Sequence, residues 1–151
     1  MYKNSFVHYF TKVLVDVMFY GGILTCVASP FVMPYALNYL GYLKSTYLPY
    51  SIIILSSGIC ALCIVWQLKI MFKTLLGGNP FVPKNVKCLR ICSVASFLIA
   101  IIYIFKLFLL LFTPSSFIIV VIFSLLGLFC LTLKDVFKQA ITYKEENDWT
   151  V

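Results

Sequence analysis

Asp16 is the only carboxylate inside an apolar run of this chain. A carboxylate at membrane depth is expensive, and by default it marks a path for protons, cations or substrate. Asp16 stands four residues after Lys12, the spacing at which opposite charges meet on one helix face. It also lies within about one helical turn of the start of its apolar run. Structural pairing with Lys12 is the first reading, and an intramembrane proton or cation site of a small transporter is the alternative. Lys106 interrupts a later apolar run six residues before Phe112. Its aliphatic stem is long enough to snorkel toward the outer interface.

The six cysteines are Cys26, Cys60, Cys63, Cys88, Cys92 and Cys130. Cys60-Ala-Leu-Cys63 is a CxxC, which beside a βαβ pattern would suggest thiol exchange. Here it falls mid-run, without strand context. A membrane thiol oxidoreductase using Cys60 and Cys63 would also need a second cysteine pair on the outer side, and neither outer loop holds a cysteine. Small buried apolar residues are therefore the first reading. Cys88 and Cys92 are one turn apart, but a metal there needs two more ligands, and His8 is the sole histidine. Acylation at that pair is the remaining alternative. No phosphate-binding loop, dinucleotide fingerprint, nucleophile elbow or metalloprotease signature occurs. The sequence leads us to expect no catalytic residue, cofactor or metal.

Of the 151 residues, 62% are hydrophobic and 11% are charged, against about 25% charged in soluble domains. Mean hydropathy is +1.01. So few polar residues cannot cover a soluble surface, and disorder requires the opposite composition. Charge-free runs of membrane-crossing length predict four spans at about 13–34, 51–70, 90–112 and 114–133. Thr113-Pro114-Ser115-Ser116 is a turn-and-cap signal that separates the last two. The runs are continuous and do not alternate, which excludes a β-barrel. Ile23-Leu24-Thr25-Cys26 faintly resembles a lipoprotein cleavage box, but Thr25 is too large for it and three spans follow, so no cleavage is expected.

Lysines and arginines set orientation. Ten flank one side of these spans, and Lys44 alone flanks the other. That bias predicts cytoplasmic termini, a cytoplasmic loop at 71–89 and a cytoplasmic tail at 134–151. The net charge of +7 is then a topology signal with some attraction to anionic lipid, not a nucleic-acid footprint.

Pro30 is expected to kink or end the first span. Phe31, Tyr35, Tyr39 and Tyr42 recur at helical spacing beyond the midpoint, which reads as an interfacial aromatic belt, with an aromatic ligand mouth as the alternative. Gly77-Gly78 is a helix stop. Asn79-Pro80-Phe81-Val82-Pro83 is an extended turn, with Pro83 suited to open the next helix. Leu133, Val136, Phe137, Ala140 and Ile141 form an apolar stripe on a helical continuation of the last span. Phe81 and Val82 are expected to cover its first turn. The acidic end, with Glu145, Glu146 and Trp149, is a partner-facing segment or a solvated terminus.

Gly78-Asn79-Pro80-Phe81, followed by Asn85-Val86-Lys87 and Leu89-Arg90, resembles the central loop of the YoaS-like four-span bacterial membrane proteins. Val136-Phe137, Glu145-Glu146-Asn147-Asp148 and the final Thr150-Val151 resemble that family's tail. The sequence departs at Trp149, where an aliphatic residue is usual, and at Val82, where a capping Thr or Ser is common. The resemblance implies a four-helix multi-pass protein of unknown biochemical function. Genes of this family are often adjacent to one for a Cro/C1-type helix-turn-helix regulator, which implies signalling to transcription by association.

The expected architecture is an all-α, four-transmembrane-helix bundle with both termini inside and a helical extension of the last span, in a bacterial plasma membrane. The leading functional reading is a non-enzymatic interaction or signalling protein. Its partner-binding candidates are Asn79, Pro80, Phe81, Phe137, Glu145, Glu146 and Trp149, and its partners would be the lipid bilayer and a soluble regulator, with no direct nucleic-acid binding. A small transporter or toxin-immunity protein using Asp16 is the alternative, although four-span multidrug transporters carry their acid deeper in span 1. In a cysteine-free background, an impermeant thiol reagent applied outside intact cells should label Lys44→Cys and spare Lys84→Cys. The reverse labelling would invert the orientation.

Overall fold

The computed structural model describes residues 6–41, 47–110 and 113–148. Lys44, Phe112 and Trp149 lie outside them. Four helices follow one another: α1 (Phe6–Tyr39), α2 (Tyr47–Leu76), α3 (Pro83–Leu109) and α4 (Pro114–Asp148). Each is long and apolar enough to cross a membrane, and no strand occurs among the described residues. The protein is a multi-pass helical membrane protein. With no water in the hydrocarbon, helices satisfy their own backbone groups.

Pro30 and Pro34 both lie inside α1, which runs on to Tyr39. The expected break at Pro30 does not end the helix, and the local chemistry explains why. A proline at 30 removes the N–H that would bond the Cys26 carbonyl. The Ser29 hydroxyl donates to that carbonyl instead, at 3.0 Å. Thr25, Ser56 and Ser57 likewise donate to carbonyls of their own helices, so these span hydroxyls are satisfied locally.

The helices pack in chain order, α1 on α2, α2 on α3 and α3 on α4, with the most extensive contact between α3 and α4. The bundle is therefore open, with α2 and α3 each between two neighbours and α3 the more extensively packed. Its buried face is made of Asn85, Cys88, Leu89, Cys92, Ser93, Ala95, Ser96, Ile99 and Ala100. Most of these are small, and in a membrane small residues let backbones approach closely, since lipid is as apolar as leucine and hydrophobicity alone joins nothing. Gly127 of α4 shows the closeness. A Cβ there would sit 2.9 Å from Phe97 Cζ on α3.

The two turns differ in chemistry. Gly77 donates to the Lys73 carbonyl at 3.2 Å and Gly78 to Leu75 at 3.1 Å. Gly78 has φ +82°, a left-handed conformation that closes α2 and that side chains resist. Val82 is the extended N-cap of α3, with Pro83 in its first turn and no side-chain cap. Between α3 and α4, Leu110 is extended and donates to Lys106, and Ser116 donates to the Thr113 carbonyl at 2.9 Å.

Gly127→Val should cost about 1–3 kcal/mol through overpacking against the Phe97 ring. In a Phe97→Ala background the same change should be close to neutral. Unfolding of the four variants in detergent checks both, and an equal cost in both backgrounds would show that the helices do not meet at this point.

Candidate functional site

The lysine-rich end of the bundle gathers the start of α1, the α2–α3 turn and the second half of α4. Its organising residue is Asn85, 1% exposed at the start of α3. The Asn85 Nδ2 donates to the Pro80 carbonyl at 2.6 Å. Its Oδ1 lies 2.8 Å from Thr74 Oγ1 on α2, which is also 2.7 Å from the Met71 carbonyl. The single Thr74 proton is shared between these two acceptors. One side chain thus ties the end of α2, the turn and the start of α3 together. A buried amide with both ends bonded fixes a loop shape, because leaving either end unpaired is costly.

That latch sets the direction of Phe81. Its ring lies on Phe137 of α4, with centroids 5.1 Å apart at 51°, a tilted pair of the kind that adds to simple area burial. Beside it is a cleft of about 180 Å³ lined by Leu68, Met71, Phe72, Leu75, Pro80, Asn85 and Phe137. The structure therefore brings Pro80, Phe81 and Phe137 together, with Asn79 exposed at the tip of the turn. Glu145 and Glu146 are exposed on the same helix, roughly 12 Å beyond Phe137 at 1.5 Å per residue.

Asp16 is the second feature of this end, and the pairing with Lys12 expected from sequence is corrected. Its partner is Lys69 of α2, with Nζ to Oδ1 at 2.6 Å. The Lys69 ammonium also stands 5.5 Å from the ring centroids of both Phe19 and Tyr20, within cation–π range. The i,i+4 neighbour lost to a cross-helix partner because α1 and α2 run antiparallel with Asp16 and Lys69 in register.

A family model described as "Protein of unknown function (DUF2975)" matches residues 29–151. The chain belongs to DUF2975. This agrees with the resemblance carried by the loop and tail motifs. No curated protein and no solved structure matches the chain. The segment matched to DUF2975 holds the Asn85 latch, the Phe81–Phe137 contact and Lys69, whereas Lys12 and Asp16 precede it.

At the opposite end of the DUF2975 bundle, Lys106 does not run out to solvent alone. Its ammonium donates to Thr113 Oγ1 at 3.2 Å and to Ser116 Oγ, and lies 5.4 Å and 5.7 Å from the centroids of Tyr50 and Tyr103. It ties the α3–α4 turn to α2. All six cysteines are free thiols, with Cys60 and Cys63 half-buried in α2 and Cys88, Cys92 and Cys130 buried. Among the described residues no group of three or more His, Cys, Asp and Glu is placed to hold a metal. The side chain of His8 lies outside that set.

Sequence reasoning missed Thr74, Asn85 and Lys69. Counting inward from the helix ends would have found the first two, since Thr74 lies two residues before Leu76 and Asn85 two residues after Pro83 on helices that must run antiparallel.

Phe81→Ala should raise amide exchange across residues 134–141. Asn85→Ala should raise it across 77–85 and cost about 1–3 kcal/mol, because the buried amide's bonds to both the Pro80 carbonyl and the Thr74 hydroxyl are lost. Exchange unchanged in 134–141 for Phe81→Ala would show that the ring contact does not hold the extension.

Proposed function

We infer that this protein is a non-enzymatic interaction or signalling component of a bacterial plasma membrane. Its lysine-rich end faces the cytoplasm, where the α2–α3 turn and the α4 extension bind a soluble partner. The observation that carries this reading is the Phe81–Phe137 contact, which makes one surface of two segments 56 residues apart in sequence. Cytoplasmic placement rests on the lysine and arginine bias.

The surface has the composition of a docking face. Asn79 and Phe81 project from a proline-stiffened turn, and Val136 and Tyr143 are 51% and 66% exposed on the adjoining helix. Large apolar side chains exposed beyond the bilayer favour contact with another protein. Beyond residue 133, α4 continues to Asp148, about 22 Å of helix, with Glu145 and Glu146 exposed near its end. That acidic end favours a basic partner, and a helix-turn-helix regulator of the Cro/C1 type has that character. The ion pair of Asp16 with Lys69 supports a structural role for Asp16.

Affinity purification from native membranes, with the Cro/C1-type regulator followed by mass spectrometry, tests the proposal. The regulator should co-purify with the full chain. It should be lost on truncation after Ala140 and at least about tenfold reduced by Phe81→Ala with Phe137→Ala, since a central aromatic anchor contributes 1.4 kcal/mol or more. Retention by the truncated chain would remove the tail from the interface, and retention by both variants would sink the proposed surface.

A further inference from the structure

The α1–α2 seam has a constant antiparallel register. A Cβ on Gly58 would lie 2.6 Å from Cys26 Sγ, and one on Gly22 would lie 2.8 Å from Leu62 Cδ2. Phe19 and Trp66 stack with centroids 5.4 Å apart, and Asp16 pairs with Lys69. Each step of three or four along α1 is matched by three or four back along α2. The next step brings Lys12 opposite Lys73.

Two lysines in register repel one another. Both line one cleft of about 320 Å³, together with Val15, Asp16, Lys69, Phe72 and Leu76. Its single carboxylate is already taken by Lys69 at 2.6 Å. Among the described residues neither Lys12 nor Lys73 is paired with an acid. The cleft is thus a cationic mouth with apolar walls, at the low end of the size range of ligand pockets.

The geometry points to a binding site for an anionic glycerophospholipid, its phosphate held between Lys12 and Lys73. The shape beside the cleft distinguishes a lipid from a free anion. Asp16 also borders a shallow groove along α1 lined by Val13, Val17, Tyr20, Gly21 and Leu24. Gly21 leaves its floor open, since a Cβ there meets nothing within 4 Å. Headgroup cleft and apolar groove meet at one residue, an arrangement that fits a phosphate with an acyl chain attached. Basic pockets between transmembrane helices recognise anionic headgroups by this chemistry. The Asp16–Lys69 pair holds the two helices in the register that places the lysines opposite one another, and the phosphate removes their repulsion. The site is separate from the turn-and-tail surface and does not depend on it.

Thermal unfolding of the full chain in neutral detergent micelles tests the site, with phosphatidylglycerol, phosphatidylcholine and inorganic phosphate added in turn. Phosphatidylglycerol at roughly ten times its dissociation constant should raise the midpoint by about 3–6 °C, and the other two should not. Lys12→Gln with Lys73→Gln should abolish the response. Lys84→Gln with Lys87→Gln, which removes two exposed charges at the same end, should keep it. Lys73→Glu supplies the missing anion covalently, opposite Lys12 and four residues from Lys69, so it should raise the midpoint without lipid and remove the response to phosphatidylglycerol. An undiminished response in the Lys12/Lys73 variant overturns the site. Equal loss in the Lys84/Lys87 variant reduces it to general charge attraction and overturns it as well. Inorganic phosphate as effective as phosphatidylglycerol overturns the lipid assignment.

Discussion

A hydrocarbon layer offers no hydrogen-bond partners, so every polar group that enters it must be satisfied by the chain itself. That constraint governs most of the polar side chains described here. The Ser29 hydroxyl takes the carbonyl that Pro30 cannot serve, which lets α1 continue through a residue that ends helices in water. Ser96 returns its proton to the Cys92 carbonyl at 2.8 Å. Lys106 spends its ammonium on Thr113 and Ser116. Each is a local solution, and together they leave the bundle free to pack through small residues.

The packing that results is unequal. α3 packs against both α2 and α4 through a face rich in serine, alanine and cysteine, whereas α1 packs chiefly on α2. A buried free cysteine packs as a compact apolar residue, as at Cys88, Cys92 and Cys130. α1 is the least buried of the four helices. Its seam with α2 ends in a cleft bordered by charge, and its outer face is left to lipid.

Both features of interest lie at the lysine-rich end, and both depend on register across helices. The Asn85 latch holds the turn against α2 and α3, and this aims Phe81 at Phe137. The Asp16–Lys69 pair sits one turn inside the facing lysines. A local turn and a cross-helix ion pair thus define two neighbouring surfaces, the first proposed to dock a protein and the second to bind lipid.

The number of helices, the turns at Gly77-Gly78 and Thr113-Pro114, and the charge bias were all legible in the sequence. They are local properties: hydropathy over a span, the left-handed freedom of Gly78, the missing N–H of a proline. The loop-to-tail contact was also readable, because Phe81 and the Phe137 stripe lie just outside the apolar runs, where an exposed apolar face must find cover. Inside the spans that logic fails. The helices are apolar nearly all round, so the pattern does not say which face meets protein and which meets lipid. Only the tertiary structure decided that Asp16 pairs with Lys69 across a seam and not with Lys12 along a helix, that Lys106 ends on Thr113 and Ser116, and that Asn85 is the latch. Those pairings follow from helix rotation and register, which are fixed by the close approach of small residues at Gly22, Gly58 and Gly127.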